Sequence, residues 1–244
     1  MLHLPPTELP PASHAPAPAG LDPRARGSIA HLALEKLDLR RPAVPPAAAL
    51  QAMGARFDAA PTLAEAGEIA GLLERFLAAS PLVARLQAAR RVRMEAPFVL
   101  PLPSADDPLL NGVIDVLADE ADGTGLVVDW KTDRLHGEDP AVAVARSYAT
   151  QQAVYALAVL ASGAAAVEVV YAFLERPEVV VAVRLTQADL PELWERVLAR
   201  ARPILDGHFV VSDTPHLDLC AGCPGRGGLC LHPVALTDRP LDPA

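Results

Sequence analysis

The sequence predicts an α/β fold in which a mixed central β-sheet is flanked by helices. Apolar residues recur at helical spacing after Ser28 and again over 62–80, with a Pro/Ala-rich loop around a short helix at 42–61 between them, and from residue 90 the period changes to two. Helical spacing returns after Pro140, and two valine-rich runs at 167–174 and 179–185 precede a last helical stretch. The predicted order is helices, three strands, a helix, two strands and a helix. Helices packed on a mixed sheet account for this order.

The chain is expected to contain three regions. Residues 1–27 hold seven of the 25 prolines and predict an extended linker, because proline fixes its own backbone and donates no hydrogen bond. Such a linker fits a domain that follows the rest of a longer protein, and equally a frayed terminus. The folded domain is expected to span 28–210, and a cysteine-containing tail to span 211–244.

Two helices are expected early in this domain. Ser28 is the predicted cap of the first, and apolar residues follow it at intervals of three and four. His31 and Glu35 lie one turn apart on this helix, although spacing alone favours a structural role for a lone helical histidine. The second helix is predicted to begin at Thr62 and to end near Ser80.

The first predicted strand, residues 90–100, alternates between polar and apolar side chains. Arg91, Arg93 and Glu95 fall on one face, and the other face is apolar. Arg90, Arg91 and Arg93 either bind phosphates beside Glu95 or form a solvated face with a surface ion pair. The pattern leaves both roles open.

Two further strands, expected at about 109–119 and 125–131, bring two acids and a lysine together. Asp115 lies on the first strand. Asp129 and Lys131 lie two positions apart on the second, and they therefore project from the same face. Two converging carboxylates form an oxygen site suited to Mg²⁺ or Mn²⁺. A lysine beside such an ion can orient or deprotonate water, which phosphodiester hydrolysis requires.

The charge of the chain is unusual in its distribution. The 244 residues carry a formal net charge of −9, which argues against a protein that coats nucleic acid through a broad positive field. An enzyme that cuts nucleic acid needs only a local basic region.

Among the 21 basic residues only Lys36 and Lys131 are lysines. Because the pKa of a lysine moves more readily than that of an arginine, we expect a catalytic role for Lys131, with chance placement as the alternative.

The helical segment after Pro140 is predicted to extend to about Leu160. Tyr148, Gln151 and Tyr155 share one of its faces. Tyrosines on a helix commonly pack with their hydroxyls at the rim of the core, so packing and a place in the site both remain open.

One apolar run, Val154 to Leu174, has nearly the length of a membrane span. Ser162 and Gly163 break it, and Glu168 places a charge in its second half. A helix end followed by a buried strand is therefore expected, and no membrane association.

All three cysteines, Cys220, Cys223 and Cys230, lie in the tail, so no disulfide framework spans the fold. Together with the absence of a signal-peptide pattern, this grouping predicts a cytoplasmic protein.

Four motifs, in order along the chain, resemble those of the PD-(D/E)XK nuclease superfamily. They are Arg26–Glu35, Gly112–Asp115, Val128–Thr132 and Tyr148–Tyr155. More narrowly, they resemble the nuclease domain at the carboxyl end of AddA/RecB-type helicase-nucleases. The order of helices and strands predicted above agrees with the restriction-endonuclease-like core of that family.

The resemblance implies roles for individual residues. His31, Asp115 and Asp129 would bind Mg²⁺ or Mn²⁺, assisted by the backbone carbonyl of Trp130. Lys131 would position the attacking water.

Three further residues match the same family pattern. Gln151 and Tyr155 would line the site from the helix that follows the lysine strand, and Glu95 matches an acid on the strand before Asp115. The implied activity is that of a deoxyribonuclease of the exonuclease type. Such domains process DNA ends during double-strand-break repair and recombination, fed by a helicase motor in the same chain or in a partner.

The chain departs from the family in two respects. It contains no Gly-x-x-x-x-Gly-Lys loop, so the motor is absent from these residues. The cysteine triplet resembles that of members with a [4Fe–4S] cluster, which take a fourth cysteine from before the nuclease core, where this chain has none. A cluster completed by another ligand, a Zn²⁺ site completed by His232, and a metal-free tail remain alternatives.

Two other functions also remain open. The missing motor and the acidic charge fit a catalytically idle subunit that binds DNA ends or serves as a scaffold for a helicase. A metal-dependent hydrolase of small phosphoesters would use the same groups.

Overall fold

A computed structural model describes most of the chain. The described residues are 20–103, 108–132, 135, 137–208, 211–223, 225, 226 and 228–240. Most of the predicted proline-rich linker, residues 1–19, lies outside them. The chain divides into two compact units, Met1–Leu198 and Ala199–Ala244, and the predicted catalytic residues all belong to the first.

Four helices come before the first strand. They are α1 Pro23–Glu35, α2 Ala47–Met53, α3 Leu63–Ala79 and α4 Pro81–Ala88, with a 3₁₀ turn at Gly54–Phe57 after α2. The expected cap at Ser28 is wrong, because the cap of α1 is Asp22, six residues earlier. The side chain of Asp22 accepts hydrogen bonds from the first free N–H groups, and Pro23 suits the first helical position.

The start of α3 agrees with the prediction, and its end differs. Thr62 and Glu65 form a reciprocal capping box at the start of this helix. The chain does not leave the helical layer after Ser80, because its side chain caps a further helix, α4, by accepting from Leu82 N–H.

The sheet has five strands in the described residues, and it is mixed, as expected. The strands are β1 Arg91–Pro101, β2 Leu109–Asp119, β3 Thr124–Lys131, β4 Ala166–Phe173 and β5 Val180–Thr186. They lie in the order β1-β2-β3-β4-β5. Only the β3–β4 pair is parallel, since a helical crossover joins these two strands, and the other pairs are antiparallel.

The crossover between β3 and β4 contains two helices where one was expected. They are α5 Pro140–Ser147 and α6 Ala149–Ala161, and the chain breaks between them at Tyr148. The apolar run from Val154 to Leu174 is the end of α6 followed by β4, as predicted. In the part of the chain that the structure describes, every helix is too short or too polar to cross a membrane.

The sheet separates two layers of packing. Val128 and Trp130 face the layer formed by α1 and α3, where the ring of Trp130 meets that of Phe76 edge to face at 5.3 Å. On the opposite face a Cβ at Gly125 would lie 2.6 Å from Cγ1 of Val159, so α6 packs closely on this side of β3. Side chains alternate along a strand, and Asp129 and Lys131 therefore project toward α6.

The last helices are α7 Leu190–Leu205, α8 Leu217–Cys220 and α9 Val234–Thr237, with a 3₁₀ turn at Gln187–Asp189 before α7. The second compact unit is held by its own hydrogen bonds, such as the 2.8 Å bond from Nε of Arg239 to the carbonyl of Pro215.

Candidate active site

Asp115 stands where β2 separates from β3. The last pair between these strands is Val116 with Val128. At the next position the carboxylate of Asp115 replaces the backbone ladder, because its Oδ2 accepts a 2.9 Å hydrogen bond from Trp130 N–H. This bond holds Asp115 beside the Asp-x-Lys segment of β3.

His31 reaches the same carboxylate from α1. Its Nδ1 lies 3.6 Å from Oδ2 of Asp115, which is longer than a hydrogen bond. The two side chains are therefore neighbours without a direct bond. The structure thus brings the histidine of the first helix to the aspartate of the second strand, as the resemblance implies.

Asp129 is the most buried acid of the group, with 2 % of its surface exposed. Its Oδ2 lies 2.6 Å from Nζ of Lys131. Burial raises the pKa of Asp129 to about 6, an effect that Lys131 opposes and the negative charge of Asp115 reinforces. The carboxylate is therefore held in a costly buried state beside a cation.

Lys131 is enclosed by side chains from the α5–α6 segment and from β4. Its Nζ lies 3.7 Å from the ring centroid of Tyr148 and 5.6 Å from that of Tyr171. The amide oxygen of Gln151 accepts a 3.4 Å hydrogen bond from the same nitrogen. Aromatic faces attract cations, so these contacts restrict the position of the ammonium group.

Tyr155 links α6 to both acidic strands. Its hydroxyl lies 3.1 Å from the carbonyl of Val113 and 3.5 Å from Oδ1 of Asp129, and it accepts a 3.1 Å hydrogen bond from Nε2 of Gln151. Burial, followed by the charge of Asp129, raises the pKa of Tyr155. The hydroxyl is thus kept protonated and able to donate.

Glu95 lies on β1 opposite Asp115. The flanking pairs are Met94 with Val116 and Ala96 with Ile114, so the register continues across an interrupted position. Glu95 has a φ of 45°, which is uncommon for a residue other than glycine and is often found at functional sites. Burial raises its pKa, and so do the charges of Asp115 and Glu35, whereas His31 lowers it.

The structure adds two residues that were missed as parts of the site, and it includes Tyr148, whose place there the sequence left open. Glu35 is close enough to influence Glu95, and Tyr171 provides a second aromatic face near Lys131. Tyr148 was expected on a helical face with Gln151, but it precedes α6 and places its ring against Lys131. Tyr148 lies at regular spacing from Gln151 and Tyr155, and Glu35 lies one turn from His31, whereas Tyr171 had no signal in the sequence.

The donor groups at this site fit a hard divalent ion. Carboxylates, an imidazole and the nearby backbone carbonyl of Trp130 are suitable ligands, and the buried Oδ2 of Asp129 accepts no hydrogen bond of ordinary geometry among the described residues. Over the same residues, no three His, Cys, Asp or Glu side chains converge closely enough to enclose an ion. The donor atoms therefore suit a hard divalent ion, and the described side chains do not by themselves complete its coordination.

The cysteines of the second unit are all free thiols. Cys220 is buried, Cys223 is exposed and Cys230 is half-buried. Nε2 of His232 lies 2.9 Å from the carbonyl of Ser212, so this ring is already hydrogen-bonded. Within the described ranges these residues form no group able to hold a metal, and a cluster or zinc site there stays a prediction.

The mixed sheet carries Asp115 on β2 and an Asp-x-Lys segment, Asp129 to Lys131, at the end of β3. This arrangement defines a core of the nuclease type. A model of the PD-(D/E)XK nuclease superfamily matches residues 8–227, most of the chain, and the chain belongs to that superfamily. The resemblance inferred from the four motifs is thereby confirmed.

Individual relatives are similar over part of the chain. It is 35 % identical over 132 residues to an ATP-dependent helicase/nuclease subunit of Moorella thermoacetica, a match that covers 48 % of this chain and 9 % of that protein. The corresponding protein of Bacillus cereus (strain AH187) is 31 % identical over 134 residues, covering 50 % and 11 %. The chain thus matches only 9 to 11 % of the length of these relatives.

Among solved structures, a Eubacterium rectale protein aligns with a TM-score of 0.39 and 14 % identity, covering 63 % of this chain and 58 % of that one.

Proposed function

We propose that this protein is a divalent-metal-dependent DNA nuclease of the exonuclease type. The observation that carries the proposal is that Asp115, Asp129 and Lys131 lie together where β2 and β3 separate, with Asp115 held by the hydrogen bond from Trp130 N–H. Two acids and a lysine that lie together provide the charges that hydrolysis of a phosphodiester requires.

The ion would be held by His31, Asp115, Asp129 and the carbonyl of Trp130. When bound, a Mg²⁺ or Mn²⁺ ion supplies positive charge to the scissile phosphate and to the leaving oxygen. Glu95 contributes a further negative charge beside Asp115, which favours a cation there.

Lys131 holds the attacking water in this proposal. Its ammonium group is fixed between Asp129, Gln151 and the Tyr148 ring, so little motion is needed before reaction. Tyr155 stays protonated and binds Val113, which supports β2 beside Asp115. Gln151 connects the lysine to that tyrosine.

The cellular role is also a proposal. Relatives named as parts of an ATP-dependent helicase/nuclease support work on DNA ends beside a helicase motor, in double-strand-break repair and recombination. The grouping of all three cysteines in the tail, where they form no disulfide framework across the fold, supports action in the cytoplasm.

The test compares linear duplex DNA, single-stranded DNA and closed circular DNA as substrates for the purified full chain. With Mg²⁺ or Mn²⁺ present we expect cleavage of the linear forms, protection of the circle, and no cleavage in EDTA. Asp115→Asn should remove the activity and leave the circular dichroism spectrum unchanged. Cleavage that persists in EDTA or in Asp115→Asn would refute the proposal.

The same samples distinguish a second candidate function from the nuclease. The open ligand set in the described residues favours a catalytically idle DNA-end-binding subunit. That function predicts binding of linear DNA that weakens with salt, without cleavage under any metal condition.

A further inference from the structure

A cavity of about 370 Å³ lies between the segment that follows α1 and the start of β1. Its apolar lining includes Leu37, Leu39 and Leu86, which are nearly inaccessible to solvent. Three exposed arginines, Arg40, Arg90 and Arg91, also line it. We call this cavity the arginine pocket.

Two of the acids near this pocket are paired with arginines outside it. Glu120 is paired with Arg85 at 3.0 Å, and Asp119 lies 3.4 Å from Arg93. Asp38, which lines the pocket, accepts the backbone N–H of Arg40 at 2.9 Å and keeps its negative charge, so the lining carries three positive charges against one.

The three arginines of the pocket carry excess positive charge. Among the described residues Arg40, Arg90 and Arg91 form no ion pair, and the guanidinium of Arg90 donates to the carbonyl of Ala121. In a chain of net charge −9 such a local excess stands out. An anionic ligand would be attracted to it.

Both walls of the pocket continue elements of the candidate active site. Leu37 and Arg40 follow the carboxyl end of α1, the helix that carries His31. Arg91 begins β1, on which Glu95 lies four residues further along. Four residues of extended strand span about 13 Å. The apolar lining, with Val92 and Met94, lies on the face of the sheet that packs against α1 and α3, opposite the face from which Asp129 and Lys131 project. Because β1 is the outermost strand of the described sheet, a DNA strand that crosses the catalytic acids reaches the pocket around the edge of β1, and phosphates along one B-form strand rise by about 3.4 Å each.

We propose that the arginine pocket binds a phosphodiester of the substrate strand a few nucleotides from the bond that is cleaved. This proposal rests on the proposed nuclease function. Guanidinium groups bind phosphate through paired N–H donors, and the leucine floor accepts the carbon atoms of a sugar or base. The residues that line the pocket include no aromatic ring for stacking, so it binds the backbone without regard to sequence.

The test uses the full chain with Arg40→Gln and Arg91→Gln combined. The matched control is Arg56→Gln with Arg75→Gln, two exposed arginines outside the pocket. Binding of a labelled single-stranded oligonucleotide is measured by fluorescence anisotropy in EDTA over a range of salt. We expect the pocket variant to bind roughly 10-fold more weakly than the control, and the slope of log affinity against log salt to fall by about 1 to 2.

A small substrate tests the catalytic centre without the arginine pocket. Hydrolysis of bis(p-nitrophenyl) phosphate, which cannot span from the acids to the pocket, should be equal in the two variants. The proposal is overturned if the pocket variant has the same affinity or the same salt slope as the control. It is also overturned if the pocket variant loses as much activity on the small ester as it loses affinity for the oligonucleotide. Displacement of the oligonucleotide by inorganic phosphate at comparable concentration would show an ion site and also overturn it. Because binding is measured in EDTA, failure of the nuclease function itself leaves this result interpretable.

Discussion

The ammonium nitrogen of Lys131 lies 2.6 Å from Oδ2 of Asp129, in a position almost closed to solvent. The two residues are separated by one position on β3, and each compensates the charge of the other. Burial disfavours the negative charge of Asp129 by more than Lys131 offsets it, and the pKa of Asp129 is therefore raised. This pair therefore determines both the electrostatics of the site and the response of the protein to pH.

Asp129→Asn should stabilise the metal-free protein at neutral pH. The folded pKa of about 6 lies above the unfolded value of roughly 3.9. Asp129 therefore favours folding most below about pH 4, and this contribution is lost as pH rises through 6. We expect asparagine to add about 3 kcal/mol of unfolding free energy near pH 7.5, and about half of that near pH 5.

Urea unfolding in EDTA at both pH values measures this difference. Asp22→Asn, which removes an exposed carboxylate at the start of α1, serves as a control that should show no gain at neutral pH. A stabilisation by Asp129→Asn that is the same at both pH values would contradict the shifted pKa.

The ring of Tyr148 should hold the Lys131 ammonium group by its aromatic face. Tyr148→Phe keeps the ring and should preserve this position, whereas Tyr148→Leu should release it, since the centroid lies 3.7 Å from Nζ. The chain has only two lysines, so selective ¹³C labelling of lysine gives two side-chain signals in an NMR spectrum.

In that spectrum Lys36 is the internal reference, because it is exposed on the segment after α1. The Lys131 methylene signals should be shifted upfield by the ring in the wild type and in Tyr148→Phe, and should move toward the Lys36 values in Tyr148→Leu. An unshifted Lys131 signal in the wild type would show that the ring does not lie over this side chain in solution.

Gly125→Ala should destabilise the contact between β3 and α6. A Cβ at this position would lie 2.6 Å from Cγ1 of Val159, a stiff and buried side chain. We expect a loss of about 1 to 3 kcal/mol of unfolding free energy from overpacking, with a loss of activity because α6 carries Gln151 and Tyr155.

The control for that change is Gly67→Ala on α3, where no atom lies within 4 Å of the added Cβ. There alanine should stabilise the helix by about 0.5 to 1 kcal/mol. Thermal unfolding of both variants checks the signs. If both variants change the unfolding free energy in the same direction, close packing at Gly125 is absent.

Much of the fold follows from local patterns in the sequence. The strand limits at β2 and β3, the start of α3 and the change from α6 to β4 depend on periodicity and on caps such as Thr62, which act over a few residues. The start of α1 was misplaced because both Asp22 and Ser28 are acceptable caps, and only the packed structure selects between them.

The site was predictable where spacing along one strand sets the geometry. Asp129 and Lys131 share a face because they are two positions apart on β3. The aromatic contact from Tyr171 and the positive φ of Glu95 depend on strands paired across the sheet, and neither produces a local sequence signal. His31 was assigned by resemblance, since helical spacing alone does not show which helix packs near Asp115.

The central claim is that Lys131 supports phosphodiester hydrolysis, and the chain's only other lysine provides the control. Degradation of linear DNA with Mg²⁺ should be measured for the wild type, Lys131→Met and Lys36→Met, each with a circular dichroism spectrum to verify folding. The account predicts that Lys36→Met keeps wild-type activity and that Lys131→Met loses about 100-fold or more. A folded Lys131→Met protein that degrades DNA at the wild-type rate would contradict it.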